Sequence, residues 1–161
     1  MFREMRRVRQ QLSNAESMAV LKDGKTGVLG VCGDQGYPYT VPVNYVYADG
    51  KIYIHCSKTG HKLDAIYRDN KVSFCVIDRD DILAEKLTTR YRSVILFGRA
   101  KIVEGEKDIR HAALLLGLKY CRDSQTVNAE IKREWGRFCC VEIVIEHMTG
   151  KKGGLISSPN L

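Results

Sequence analysis

Apolar and polar positions alternate most clearly between residues 26 and 56. Residues 27–32 are a short apolar run carrying two glycines, and a turn follows at Asp34-Gln35-Gly36. Residues 39–47 are dominated by β-branched and aromatic side chains. Ala48-Asp49-Gly50 makes a hairpin turn, and residues 51–56 return with Ile52 and Ile54 on one face and Tyr53 and His55 on the other. Period two bounded by turn residues predicts a three-stranded meander here. Upstream, Ser13-Asn14-Ala15-Glu16 has the spacing of a capping box and predicts a short helix to about Lys22, closed by Asp23-Gly24. Downstream, Gly60 opens a loop into a short helix that ends at Asp69-Asn70. Residues 71–78 read as a fourth strand and 91–103 as a long fifth. The stretch 79–90 is polar and fits either a helix or a long loop. Residues 106–121 and 124–135 read as helices broken at Arg122-Asp123, residues 138–146 as a sixth strand, and the chain from Thr149 as a loosely ordered tail.

Six strands with few helices between them lack the regular βαβ alternation of a parallel doubly wound sheet. Hairpin spacing favours a mainly β fold, a six-stranded antiparallel split or closed barrel with flanking helices. One domain over residues 1–161 is expected, with a basic arm at 1–11 and a loose tail at 153–161.

Composition changes this little. Of 161 residues, 44% are hydrophobic and 28% charged, an ordinary globular balance. No apolar run approaches the roughly 20 residues of a membrane span. No apolar segment backs the charged N-terminus, so a cytoplasmic protein is expected. The six cysteines form no C-x-x-C pair and read as small core side chains in a reducing compartment. The net charge of +7 raises nucleic acid as a partner, but its placement weakens that reading. Arg3, Arg6, Arg7 and Arg9 face only Glu4 in the first eleven residues, and Lys151 and Lys152 stand without an acid near the other end. The intervening domain is nearly balanced.

Three places invite chemistry. Pro42 sits inside a strong strand, where it cannot donate to a ladder. It marks an edge strand or a bulge, and serves either to block edge pairing or to leave backbone groups for a planar ligand. Residues 56–62 gather Ser57, Thr59, His61 and Lys62 where a strand ends and a helix begins. Helix N-termini attract anions, so this is a phosphate cradle or simply a capped, solvated helix start. Arg92 interrupts a long strand within Tyr91-Arg92-Ser93-Val94, as an outward charge or a site residue. Hydrolase, zinc-protease and dinucleotide motifs are missing, and His55, His61, His111 and His147 have no metal-ligand spacing.

Taken in order, Gly27-Val28-Leu29-Gly30, Gly36-Tyr37-Pro38-Tyr39, Val41-Pro42-Val43-Asn44-Tyr45, the run from Asp49 to His55, Gly60-His61-Lys62, Tyr91-Arg92-Ser93-Val94 and Thr149-Gly150-Lys151 resemble the pyridoxamine 5′-phosphate oxidase-like flavoproteins, most closely the nitroimidazole-resistance branch. The resemblance implies an FMN-binding split barrel working as a homodimer, with flavin at the subunit interface. It implies that the backbone of Pro42, Val43, Asn44 and Tyr45 lines the isoalloxazine ring and that Ser57, His61 and Lys62 hold the phosphate. Tyr91, Arg92 and Ser93 would lie near the interface, His55 beside the flavin as the catalytic group, and Trp135 in the partner's flavin site. The arginine–histidine pattern with which the oxidase holds pyridoxal phosphate is not evident. An FMN-dependent reductase of a small nitroaromatic is therefore the leading expectation. A flavin carrier or sensor without turnover is the second, and a basic nucleic-acid binder the third.

Overall fold

A computed structural model describes residues 1–154 as an antiparallel split β-barrel with four helices. The strands are β1 (Thr26–Cys32), β2 (Pro38–Asn44), β3 (Val46–Ala48), β4 (Lys51–Ser57), β5 (Lys71–Leu83), β6 (Thr88–Ile102) and β7 (Phe138–Gly153). The helices are α1 (Asn14–Asp23), α2 (His61–Arg68), α3 (Glu106–Tyr120) and α4 (Ser124–Glu134). The strands form one sheet in the order β2-β1-β5-β6-β7-β4-β3. No described helix is long and apolar enough to cross a membrane.

Local signals act as their chemistry dictates. Ser13 accepts from the Glu16 amide at 3.1 Å while the Glu16 carboxylate accepts from the Ser13 amide at 2.7 Å, closing the capping box of α1. Asp49 and Gly50, with φ of 54° and 73°, turn β3 into β4 in the left-handed manner a tight hairpin requires. Asp123 caps α4 through the Gln125 amide and the Thr126 hydroxyl.

Three expectations need correction. The run 39–47 is two strands, because the chain turns a corner at Tyr45, which makes seven strands rather than six. The polar stretch 79–90 is the outer part of a β5–β6 hairpin, paired from Arg79↔Arg92 to Leu83↔Thr88. With both faces wet it has no reason to alternate. Asp78 bulges out of β5 at the base of that hairpin. The sixth predicted strand continues to Gly153, pairing residues 149–153 with Ile95 back to Tyr91. Its small residues are required by close packing. A Cβ on Gly150 would lie 2.3 Å from Ser17 Oγ, and one on Gly153 2.3 Å from the Tyr91 ring. The rest of the tail expected at 153–161 lies outside the described residues.

Two cores result. Inside the barrel, Leu29, Tyr45, Ile52, Ile54, Phe74, Val76, Leu96 and Ile143 meet Val20 and Leu21 of α1 and Leu63 and Ile66 of α2. Outside it, α3 and α4 cover β4 and β7 through Ala112, Leu116, Val127, Ile131, Tyr53 and Cys140. Cys139 and Cys140 are buried, Cys32 is exposed and all six thiols are free.

Burial pushes the Cys56 and Cys140 thiols from 9.0 up to about 11 and about 12. The folded chain keeps protons there that the unfolded chain releases, so stability falls as pH rises above 9. Burial also lowers Lys119 from 10.5 to about 8, which acts in the opposite sense between those values, while Cys75, Tyr45 and Tyr53, each raised by burial, act in the same sense as the two thiols. Urea unfolding is expected to show a net loss on the order of 2 kcal/mol between pH 9 and pH 10.5, with a shallower slope in Cys140→Ala. A flat profile in the native chain would remove the thiols from this account.

Candidate functional site

The barrel is open along one seam. β2 pairs with β1 on one side only, and its other edge meets no strand among the described residues. Pro42 thus marks an edge strand, and Thr40, Pro42 and Asn44 are exposed along it. β3 reaches only Lys51, Ile52 and Tyr53 of β4, so β4 from Ile54 to Ser57 also has a bare edge on that side. β2 and β4 approach each other beside this opening. Backbone groups on both lips are left for a ligand or for water.

The corner at Tyr45 holds the seam apart. Its ring is fully buried and meets Phe74 edge-on at 5.1 Å. The Tyr45 hydroxyl donates to the Leu21 carbonyl at 2.8 Å. Tyr120, 75 residues away, accepts from the Tyr45 amide at 3.0 Å, and its one hydroxyl proton is shared between the Lys25 carbonyl at 2.6 Å and the Tyr45 carbonyl at 2.8 Å. These bonds replace the ladder bonds that the corner forgoes. Tyr45 is therefore a structural corner whose own backbone groups are engaged, whereas Pro42, Val43 and Asn44 lie along the open strand. The Asn44 side-chain amide donates to the Lys25 carbonyl at 3.2 Å.

At the far end of bare β4, Ser57 leads through an exposed loop into α2. Gly60, at φ 126°, starts the helix without any side-chain cap. The first helical amides with backbone partners are those of Leu63 and Asp64, which donate to the Gly60 carbonyl. The His61 and Lys62 amides have no partner among the described residues. The His61 ring stacks on Tyr39 of β2 at 4.2 Å, which ties the start of α2 to the opposite lip. His61 Nε2 lies 3.4 Å from Asp34 Oδ2 but makes no hydrogen bond. Arg68 holds Asp34 at 2.8 Å. This is an electropositive helix start with donors to spare.

His55 stands on the bare part of β4, on its outer face. Partial burial lowers its tendency to protonate, and the positive charge of Lys62 adds to the effect. Phe138, the first residue of β7, meets it edge-on at 6.4 Å.

The other expected residues lie elsewhere. Ser57 pairs with Phe138 at the start of β7, whereas Tyr91 pairs with Gly153 at its end. Tyr91, Arg92 and Ser93 are thus not brought to the α2 cluster within one chain. Arg92 is engaged by Asp78 at the bulge of β5, and the Tyr91 hydroxyl lies 3.4 Å from Gln10 Oε1. Trp135, just past α4, has Arg110 above its ring at 5.6 Å and Phe138 edge-on at 6.2 Å. It shares a cavity of about 480 Å³ with Lys58, Leu63 and Tyr67. A cavity of about 890 Å³ lies between the end of β6, the end of α2 and the start of β4. Its buried carboxylate, Glu142, is already matched by Lys51 and Lys101, each at 3.1 Å. Burial alone would raise Glu142, but these bonds outweigh it and keep the group ionised. Sequence reasoning missed Tyr39, Asp34, Phe138 and Tyr120. Only Tyr39 carried a signal, as an aromatic on an edge strand.

Comparison with known proteins follows the same lines. A family model described as pyridoxamine 5′-phosphate oxidase matches residues 13–152. No curated protein matches by sequence. Among solved structures, a conserved hypothetical protein from Mycobacterium tuberculosis is similar at TM-score 0.80 and 22% identity, over 92% of this chain and 90% of that one. A candidate 5-nitroimidazole antibiotic resistance protein from Bacteroides thetaiotaomicron is similar at TM-score 0.74 and 19% identity, over 88% and 86%. An FAD-binding protein from Mesorhizobium loti is similar at TM-score 0.62 and 24% identity, over 90% and 98%. At these identities the likeness carries the fold.

Proposed function

We propose, from the premise that this chain belongs to the pyridoxamine 5′-phosphate oxidase family, that it is an FMN-dependent oxidoreductase reducing a small nitroaromatic of the 5-nitroimidazole kind. One observation carries the reading: two bare strand edges flank a seam that ends on an uncapped helix start beside Lys62.

The residues suit the cofactor. The free His61 and Lys62 amides, the Lys62 ammonium and the Ser57 hydroxyl match a dianionic phosphate. The open edge of β2 around Pro42, Val43 and Asn44 offers backbone groups to a planar, polar-edged ring. FMN, when bound, supplies the two-electron chemistry, so no protein acid–base pair is needed for it. The protein binds and orients the cofactor and shields it from water. His55, whose tendency to protonate is lowered, carries in its neutral form one ring nitrogen to give a proton and one to take it at the substrate. A bound FAD-type flavin is the stated property of the Mesorhizobium loti neighbour. The charged cradle at the start of α2 matches one phosphate and favours the shorter cofactor.

The protein acts as a homodimer in this reading. Ile77 of β5 and Ile95 and Phe97 of β6 are 60%, 44% and 40% exposed on an outer face that no described helix covers; of the three, Phe97 is stacked by the Phe2 ring at 5.6 Å. Val28 and Cys75 continue that face, and a second copy is the cover that matches it. A partner packed there is also the route by which Tyr91, Arg92, Ser93 and Trp135 of one chain can approach the seam of the other.

The test is direct. Purified protein is mixed with FMN or FAD, desalted and examined by visible absorbance and sizing. A dimer carrying oxidised FMN is expected; a protein that retains neither flavin sinks the proposal. His55→Ala should keep FMN yet lose about a hundredfold in nitroimidazole reduction with a nicotinamide reductant. Loss of flavin along with turnover would make His55 structural. A protein that holds FMN without any turnover would be a flavin-binding module instead.

A further inference from the structure

We propose that the half-open cleft bordered by α3, α4 and the adjoining ends of β4 and β7 is the substrate pocket, and that it accepts a neutral, planar aromatic molecule with its edge toward His55. This rests on the redox reading above and adds where the substrate sits and what kind it is.

The cavity measures about 460 Å³, within the range of small-molecule sites. Leu116 of α3, Val127 and Ile131 of α4 and Phe138 of β7 make an apolar lining, and His55 enters it from bare β4. The pocket thus adjoins the stretch of strand that borders the seam. It is also not a gap that the helices can close by settling together. Gly117 already brings α3 against α4, where a Cβ would stand 2.4 Å from Val127 Cγ1.

Charge complementarity selects a neutral guest. Glu130, Glu134 and Arg137 border the cavity. Arg133 holds Glu130 at 2.6 Å and Glu134 at 3.2 Å, and Arg137 lies 3.6 Å from Glu134. Two carboxylates are balanced by two guanidiniums, so no charge is left to compensate an ionic ligand stripped of water. Aromatic geometry selects a flat one. Phe138 stands edge-on to both His55 and Trp135, with interplanar angles of 84° and 86°. A flat guest can meet aromatic edges and faces there. The neutral His55 ring adds one hydrogen bond to a polar substituent, such as a nitro oxygen.

Trp135 is the only tryptophan and adjoins Phe138, so it reports occupancy without any flavin. Flavin-free protein is titrated with nitrobenzene, 4-nitrobenzoate and 4-nitrobenzylamine, all quenchers of indole fluorescence. Saturable quenching by nitrobenzene is expected, at least tenfold tighter than by either ion. Val127→Phe, which fills the floor, and Thr126→Phe, at the exposed rim, should each weaken it more than tenfold with unchanged circular dichroism. The rim variant keeps the test valid if the buried one fails to fold. Strictly linear quenching, equal binding of the ions, or indifference to filling by folded variants overturns the pocket. Flavin uptake is scored separately. Protein that takes up FMN but shows no saturable quenching loses the pocket alone, and protein that binds nitrobenzene but no flavin loses the redox reading.

Discussion

Lys62→Ala is expected to weaken FMN binding by about 1.5–3 kcal/mol, roughly 10- to 150-fold in dissociation constant. The group sits in the first turn of α2, where two backbone amides already lack partners and no side chain caps the helix. Removing the ammonium leaves those amides and the helix dipole in place, so binding is weakened and not abolished. Lys62→Arg keeps the charge and should recover most of the loss, which separates electrostatics from shape. Lys62→Ala also removes a positive charge from the neighbourhood of His55, so the His55 pKa should rise toward its ordinary value, whereas Lys62→Arg should leave it lowered. Flavin fluorescence titration and histidine proton NMR read the two effects independently. Unchanged affinity in Lys62→Ala would take Lys62 out of the phosphate cradle.

Tyr45→Ala is expected to cost about 4 kcal/mol of unfolding stability, because a fully buried aromatic is removed and the cavity cannot collapse. The corner loses its contact with Phe74 and its bond to Leu21, and the Lys119 ammonium loses the ring it faces at 3.9 Å. Tyr45→Phe keeps the packing and forfeits only the bond to the Leu21 carbonyl, at about 1 kcal/mol. Urea unfolding of the pair divides packing from hydrogen bonding. A near-native Tyr45→Ala would mean that Tyr120 and the strand pairs alone define the corner. Flavin affinity of Tyr45→Phe should match the native protein, since its backbone groups stay bound to Tyr120.

Much of this organisation is legible in the chain because it is local. The capping box, the Asp49-Gly50 hairpin, the Pro42 edge and the strand-to-helix passage at residues 57–62 each declare themselves within a few residues. What escapes is set by distant partners. Nothing near Tyr45 announces a corner, because the group that secures it is Tyr120 on α3. The β5–β6 hairpin extends beyond the core and so lacks the alternation that burial imposes. The end of β7 looks like a tail because Leu12, Ser17 and Tyr91 occupy the space its side chains would need. At the site, the cradle around Lys62 is visible in sequence. The stacking of His61 on Tyr39, and the separation of Tyr91, Arg92 and Ser93 from it, depend on how strands far apart in sequence are laid side by side.

The position of β7 between β6 and β4 has a kinetic consequence. Until residues 138–153 are synthesised, the nascent chain holds two pieces, β2-β1-β5-β6 and the β3–β4 hairpin, with no ladder between them. Contacts that span 80 or more residues, such as Cys56↔Cys139, must wait for the last of these strands, and such non-local pairings fold slowly. Emergence from the ribosome is thus followed by a single late closure, in which one strand zips both pieces together. Before it, the chain exposes unpaired β6 and β4 edges that a chaperone has reason to guard.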